Sequence, residues 1–124
     1  MTFPHAYLSE IVSGILVLAA RGGEQVPIPK IHSVLYAMRS SEKILAGLFF
    51  TITGAICFSR QIEIVLKELA AQGVLHLEEG TIAVVKNAKA MRAHLYRMFP
   101  GAQYKHIRRA SRRFYRSVQG MDVR

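Results

Sequence analysis

The sequence has no tryptophan, a single cysteine and only one aspartate, and these shortages exclude several classes of protein. Cys57 cannot form a disulfide within the chain, so a disulfide-stapled scaffold is excluded and a reducing compartment is expected. A lone cysteine in an apolar stretch is predicted to be a small core residue rather than a reactive thiol. With 124 residues, the chain can bury one core without staples, which predicts a single domain.

Long hydrophobic runs are also absent. The uncharged, largely apolar run 44–58 has 15 residues, whereas a helix needs about 17 to 25 apolar residues to span a bilayer. The first residues lack the basic segment and cleavage pattern of a secretory signal. We therefore expect a cytoplasmic protein without stable membrane insertion. The apolar fraction of 51% is high for a small domain, which favours an apolar surface that is covered by self-association as a homodimer.

Clustered acid–base or metal-ligand residues are missing as well. The five histidines are scattered, and the sequence has neither an HExxH pattern nor Cys and His pairs at zinc-ligand spacing. His76 and Glu78 can share one side of a strand, and without a third ligand we interpret them as a surface contact. Gly22, in "RGGE", is interpreted as a helix stop. The sequence therefore predicts a non-enzymatic protein without a cofactor, a metal site or catalytic residues.

Acidic residues are scarcest in the last third of the chain. Residues 86–124 contain eleven of the 17 Lys and Arg residues and only one acidic residue, whereas residues 1–85 are nearly balanced. This asymmetry divides the chain into a core region, 1–85, and a basic helical C-terminal extension, 86–124, that packs on the same domain. A polyanion is expected to meet the extension first.

Hydrophobic spacing and helix-boundary residues predict a mainly helical α+β fold. The predicted helices are Ala6–Ala20, Pro29–Arg39, Ser59–Gln72, Asn87–Phe99 and Gln103–Val118. Within 44–58, the β-branched and aromatic residues favour a buried strand with a turn or bulge at Gly54, with a buried helix as the alternative. Two further short strands, Val74–Leu77 and Thr81–Val85, are predicted to form a hairpin around Glu79 and Gly80.

The third predicted helix is amphipathic. Ser59 is its predicted N-cap and Gly73 its end. Glu63 and Lys67 are expected to pair on its solvent side, at i, i+4 spacing. The core stripe on the other side consists of Ile62, Val65, Leu66 and Leu69.

The segment 59–85 resembles the third helix and wing of the winged helix-turn-helix superfamily. The resemblance lies in the rhythm of Leu66, Leu69, Gly73, Val74 and Leu75, and it implies a winged-helix-like domain with a β-hairpin wing. In that superfamily a tight turn joins the second and third helices, whereas 19 residues (40–58) separate them here. The stretch "LFFTITGAICFSRQIEIVLKELAAQGVL" also loosely resembles the antitoxin-associated Panacea domain, from which we transfer no residue roles.

The resemblance implies that the third helix can enter a major groove. Arg60 and Gln61, near its N-terminal end, are then the residues able to read guanine or adenine edges. The helix is neutral overall, and Glu78 and Glu79 at the wing tip would be repelled by a phosphate backbone. The alternative interpretation is a solvated helix face and a turn.

The last predicted helix has the strongest electrostatic signal. Its apolar stripe consists of Tyr104, Ile107, Ser111, Phe114 and Val118. A second stripe of the same helix, which we call the basic face, consists of Lys105, Arg108, Arg109, Arg112, Arg113 and Arg116. Guanidinium groups fork onto phosphate oxygens, so this face predicts nucleic-acid binding, with duplex DNA favoured. The alternatives are a docking helix with solvated arginines, an antitoxin-like adaptor that binds an acidic protein, and an anionic membrane surface.

Overall fold

A computed structural model describes residues 8–19, 25–78, 81–84, 88–99 and 101–119. Its helices are α1 (Leu8–Ala19), α2 (Ile28–Arg39), α3 (Arg60–Ala71), α4 (Ala88–Met98) and α5 (Ala102–Val118). The strands are β1 (Val26–Pro27), β2 (Thr51–Thr53), β3 (Ile56–Phe58), β4 (Leu75–Glu78) and β5 (Thr81–Val84). A short 3-10 helix, Lys43–Leu45, follows α2. The prediction of a mainly helical α+β fold is confirmed, and each helix ends within two residues of its predicted bounds.

The first helix is the centre of the core. Ile15, Leu16 and Val17 follow one another in α1 and therefore lie on different sides of the helix, yet all three side chains are buried. A helix that is apolar nearly all round is surrounded by other elements, and α1 contacts α3, α4 and α5. Gly14 allows α4 and α5 to approach α1 closely. A Cβ atom there would lie 3.1 Å from Ile107 Cγ2 and 3.3 Å from the methyl groups of Leu95.

Two small antiparallel sheets complete the fold. The first has the strand order β1-β5-β4, with Val26 opposite Ile82 and Leu75 opposite Val84. The second is the β2–β3 hairpin, in which Thr53 pairs with Ile56. Gly54 has a φ of 61° in the hairpin turn, a left-handed conformation that favours glycine and that confirms the predicted turn.

The hairpin is exposed, and the prediction of a buried strand is wrong in this respect. Phe49, before β2, is 70% exposed and Ile56 in β3 is 68% exposed. Cys57 is only partly buried, so the prediction of a core cysteine is also wrong. The buried apolar residues of the run lie earlier, in and after the 3-10 helix, and are Ile44, Leu45 and Leu48. A hydrophobic run shows that some residues are buried, but tertiary packing selects which ones.

The third helix has the predicted cap and core stripe. The Ser59 hydroxyl accepts a hydrogen bond from the Ile62 backbone N–H at 3.4 Å, and Gly73 ends the helix with a φ of 79°. The predicted core stripe is confirmed, because each of its residues is at most 2% exposed: Ile62, Val65, Leu66 and Leu69.

A buried histidine joins α2 to the start of α3. His32 Nδ1 accepts the Ser59 backbone N–H at 3.0 Å, so the ring carries its proton on Nε2, which lies 2.9 Å from a Glu63 oxygen. The His32 ring also stacks on Phe58. Glu63 therefore pairs with a neighbouring helix, and the predicted pairing with Lys67 is not the one observed. This contact orients the hairpin and the N-terminus of α3.

Some predicted features lie outside the described residues. These are the helix stop at Gly22 and the turn at Glu79 and Gly80. Between α4 and α5, Gly101 has a φ of 58°, which fits the predicted break in the helical pattern.

Candidate nucleic-acid interface

The fifth helix packs on the core through its apolar stripe. Ile107, Ala110, Ser111 and Phe114 are buried, and the helix contacts both α1 and α2. With about 3.6 residues per turn, the six cations of the basic face fall within an arc of roughly 140° on the other side of α5. Five of them are exposed and Arg113 is intermediate. The stripe thus fixes the direction in which the basic face points.

One flank of the basic face is paired with a carboxylate from the core region. Glu42 follows α2, is only 6% exposed, and donates its backbone N–H to Met38 O at 2.9 Å. One carboxylate oxygen lies 3.3 Å from Arg113 Nη1, and the other lies 3.7 Å from Arg109 Nη2. Two guanidinium groups therefore share one negative charge, and this flank keeps a positive surplus.

The opposite flank meets other cations instead. Arg108 and Arg112 line a cleft together with Arg92 of α4. Within the described residues, none of these three side chains has an ion pair with a carboxylate. The cleft therefore concentrates positive charge at the junction of α4 and α5.

The third helix offers only one of its two predicted contact residues to a nucleic acid. Arg60 is exposed, and its side chain is available for a contact with an anion. Gln61 is engaged inside the protein: its Oε1 accepts the Phe49 N–H at 2.7 Å, and its Nε2 donates to Gly47 O at 3.1 Å. Both ends of the amide hold the loop before β2, so the predicted reading of a base by Gln61 does not agree with the observed contacts.

The β4 strand carries a histidine and a carboxylate that contact each other on the surface. His76 Nε2 lies 2.8 Å from a Glu78 oxygen, and both side chains are more than half exposed. The interpretation of this pair as a surface contact is confirmed. Glu79 lies outside the described residues.

Arg92 is a cation of this surface that sequence reasoning missed. A signal was present, because Arg92 and Tyr96 are spaced i, i+4 on α4, as Tyr104 and Arg108 are on α5. Each pair shares one side of its helix, but the spacing within a helix does not say which sides of two helices meet. The packing of α4 and α5 on α1 decides that.

Metal sites and membrane-spanning helices each require a particular arrangement of side chains. Among the described residues, no group of three or more His, Cys, Asp or Glu side chains is arranged to hold a metal ion. In the same part of the chain, no helix combines the length and apolarity needed to cross a membrane. The comparison with known proteins gives no family model that matches the chain, and no curated protein or solved structure that is significantly similar.

Proposed function

We propose that the chain is a winged-helix-type protein with an additional hairpin between its second and third helices. The element order α1, β1, α2, α3, β4, β5 and the sheet order β1-β5-β4 support this proposal. The 3-10 helix and the β2–β3 hairpin take the place of the tight turn that is usual between the second and third helices. Gln61 of α3 holds this added segment through hydrogen bonds to the backbone of Gly47 and Phe49, and His32 of α2 holds it through ring stacking on Phe58.

The proposed function is that of a non-enzymatic, transcription-regulatory protein that binds the phosphate backbone of duplex DNA. The observation that carries it is the basic face of α5, which presents six cations while only Glu42, among the described carboxylates, lies against it. Phosphate neutralisation by Lys and Arg supplies most of the non-specific affinity for DNA. Arg60 on α3 is the remaining candidate for a base contact, since Gln61 is used internally.

A salt titration of DNA binding tests this function. Each phosphate contact contributes about −0.9 to the slope of log Kobs against log salt concentration for B-DNA. The triple variant Lys105→Gln, Arg112→Gln, Arg116→Gln should therefore make the slope shallower by about 2 to 3. Fluorescence anisotropy with a labelled random-sequence duplex measures it.

A matched triple variant provides the control for net charge. Lys30→Gln, Lys43→Gln, Lys67→Gln removes the same charge from exposed positions elsewhere on the protein. Its slope should stay close to that of the parent chain. Equal slopes for the two triple variants would show that the basic face is not the binding surface.

Self-association through the β2–β3 hairpin is part of the proposal. The run 44–59 has no charged residue, whereas the whole chain has a net charge of +9, so two copies meet there without direct like-charge contacts. An isolated two-stranded hairpin is only marginally stable, and a second copy would cover it. Phe49→Asp should weaken dimerisation by about tenfold or more in sedimentation experiments. Ile64→Asp, at an exposed apolar position of α3, is the control.

A second candidate function is that of an adaptor for an acidic protein. The observation that favours it is the seating of Glu42 against Arg109 and Arg113, since it shows that a carboxylate fits the basic face. An acidic partner that binds stoichiometrically, together with no binding of duplex DNA at low salt, would favour this candidate over the first.

A further inference from the structure

The cleft between α4 and α5 has the size of a ligand site. We call it the tyrosine cleft; it is lined by Leu18, Arg92, Tyr96, Tyr104, Arg108 and Arg112. Its volume is about 580 Å³, within the range of roughly 300 to 1,000 Å³ that is usual for small-molecule sites. It is open to solvent, so a ligand can reach it without a conformational change.

Three helices build the tyrosine cleft. Leu18 comes from α1, and the other lining residues come from α4 and α5, which both pack on α1 near Gly14. Arg92 and Tyr96 lie one turn apart on α4, and Tyr104 and Arg108 lie one turn apart on α5. The fourth helix thus contributes one cation and one aromatic ring, and the fifth contributes one ring and two cations, Arg108 and Arg112.

Among the described residues, the positive charge of the cleft is not balanced by a carboxylate. None of the described carboxylates lines the cleft, and the guanidinium groups of Arg92, Arg108 and Arg112 make no ion pair with them. Neighbouring like charges repel one another, and a bound anion relieves this repulsion. Arginine is also the side chain that best matches the oxygen geometry of a phosphate group.

The aromatic part of the cleft offers a stacking surface. Tyr96 is 68% exposed, which is unusual for so large a ring, and it meets Tyr104 edge to face with ring centroids 5.1 Å apart. The contact with Tyr104 supports the Tyr96 ring while leaving most of its surface in solvent. Exposed aromatic rings beside arginines are the combination that binds the bases and phosphates of unpaired nucleotides.

We propose that the tyrosine cleft binds a nucleotide, with its phosphate on Arg92, Arg108 and Arg112 and its base on Tyr96. This goes beyond the binding of duplex DNA, because the bases of a duplex are stacked on each other and cannot stack on a protein ring. Arg92 and both tyrosines lie off the basic face, so the two activities depend on partly different residues. The nucleotide is either a free one or the unpaired end of a nucleic acid.

Calorimetry with 5′-AMP tests the site. Arg92→Gln and Tyr96→Ala should each weaken AMP binding by about tenfold, as expected for the loss of one charged contact or one stacking partner. Tyr96→Phe keeps the ring and should bind AMP nearly as well as the parent chain. Equal binding of AMP by the parent chain and both weakening variants would overturn the proposal.

Two fragments of AMP separate a nucleotide site from a simple anion site. Inorganic phosphate and adenosine should each bind more weakly than AMP, because each satisfies only half of the cleft. If inorganic phosphate binds as tightly as AMP and Tyr96→Ala has no effect, the stacking role is wrong and the proposal fails.

The source of the nucleotide is determined by a further comparison. A 5′-phosphorylated single-stranded oligonucleotide that competes with AMP and binds more tightly indicates a nucleic-acid end, and weaker binding indicates a free nucleotide. Both results support the site.

The two proposals can fail separately. Lys105→Gln with Arg116→Gln changes the basic face outside the cleft and should weaken duplex binding while leaving AMP binding intact. Tyr96→Ala should have the opposite pattern. Loss of both activities in Tyr96→Ala, with an unchanged thermal unfolding temperature, would show that the cleft is not an independent site.

Discussion

The two flanks of α5 carry the same residue types but meet different neighbours. On one flank, Arg109 and Arg113 lie against the buried carboxylate of Glu42. On the other, Arg108 and Arg112 lie beside a third arginine and two tyrosines. The comparison shows that the neighbours of an arginine in a basic helix depend on the element packed beside it: a carboxylate on one flank, and further arginine and tyrosine side chains on the other.

Truncation of Phe114, which anchors α5 and therefore both of its flanks, should have the largest effect on stability. Phe114 is 4% exposed and fixes α5 on the core, so Phe114→Ala should lower the free energy of unfolding by about 3 to 5 kcal/mol. Urea unfolding measures it, with the exposed Arg116→Ala as the control, which should change stability by less than about 0.5 kcal/mol. A loss below about 1 kcal/mol for Phe114→Ala would contradict the packing of α5 described above.

A larger side chain at Gly14, where α1 packs against α4 and α5, should have the next largest effect on stability. A Cβ at Gly14 would already be 3.1 Å from Ile107, so Gly14→Val should lower stability by about 1 to 3 kcal/mol through overpacking. It should also disturb the tyrosine cleft by moving α4 or α5. Gly14→Ala is the graded comparison, because its gain in helix propensity of about 0.5 to 1 kcal/mol opposes the closer contact. Chemical unfolding measures the free energy of unfolding of both variants. Equal stability of the valine and alanine variants would contradict the close packing at Gly14.

Removing the carboxylate of Glu42 should make the two flanks alike, because the arginines on both would then lack an ion pair among the described residues. Glu42→Gln leaves Arg109 and Arg113 without their anion, and because both arginines are partly exposed we expect a loss of only about 1 to 2 kcal/mol. Affinity for duplex DNA should rise, since two more guanidinium groups become available. Glu68→Gln, at an exposed position, adds the same charge and is the control for both measurements. A rise of equal size in the two variants would show that only net charge matters.

The smallest expected free-energy difference is the coupling between Glu42 and a single arginine. A double-mutant cycle for Glu42→Gln and Arg113→Gln should give a coupling of about 0.5 to 1 kcal/mol, as is usual for partly exposed pairs. The corresponding cycle for Glu42 and Arg112 should give a value near zero, since Arg112 lies on the other flank. Unfolding free energies at low and high salt test both, because salt screening weakens exposed pairs. Equal couplings for the two arginines would remove the distinction between the flanks.

Local patterns were informative wherever the physics is local. The caps at Ser59 and Gly73, the stripe of Leu66 and Leu69, and the turn at Gly54 were all predicted from the sequence, because each depends on neighbours within a few residues. Long-range contacts were not accessible in this way. His32 bonds to Glu63 across 31 positions, and no feature of either neighbourhood indicates the other.

The same distinction between local and long-range features applies to the candidate sites. The sequence by itself determined that α5 is amphipathic and that the positive charge of the chain is concentrated near its end, because helical periodicity and charge can be read residue by residue. Only the tertiary structure decided that Gln61 faces a loop, that Glu42 occupies one flank, and that Arg92 joins the other. These outcomes depend on how α4 and α5 pack on α1, and packing is set by the shapes of surfaces distant in sequence, which no local pattern encodes.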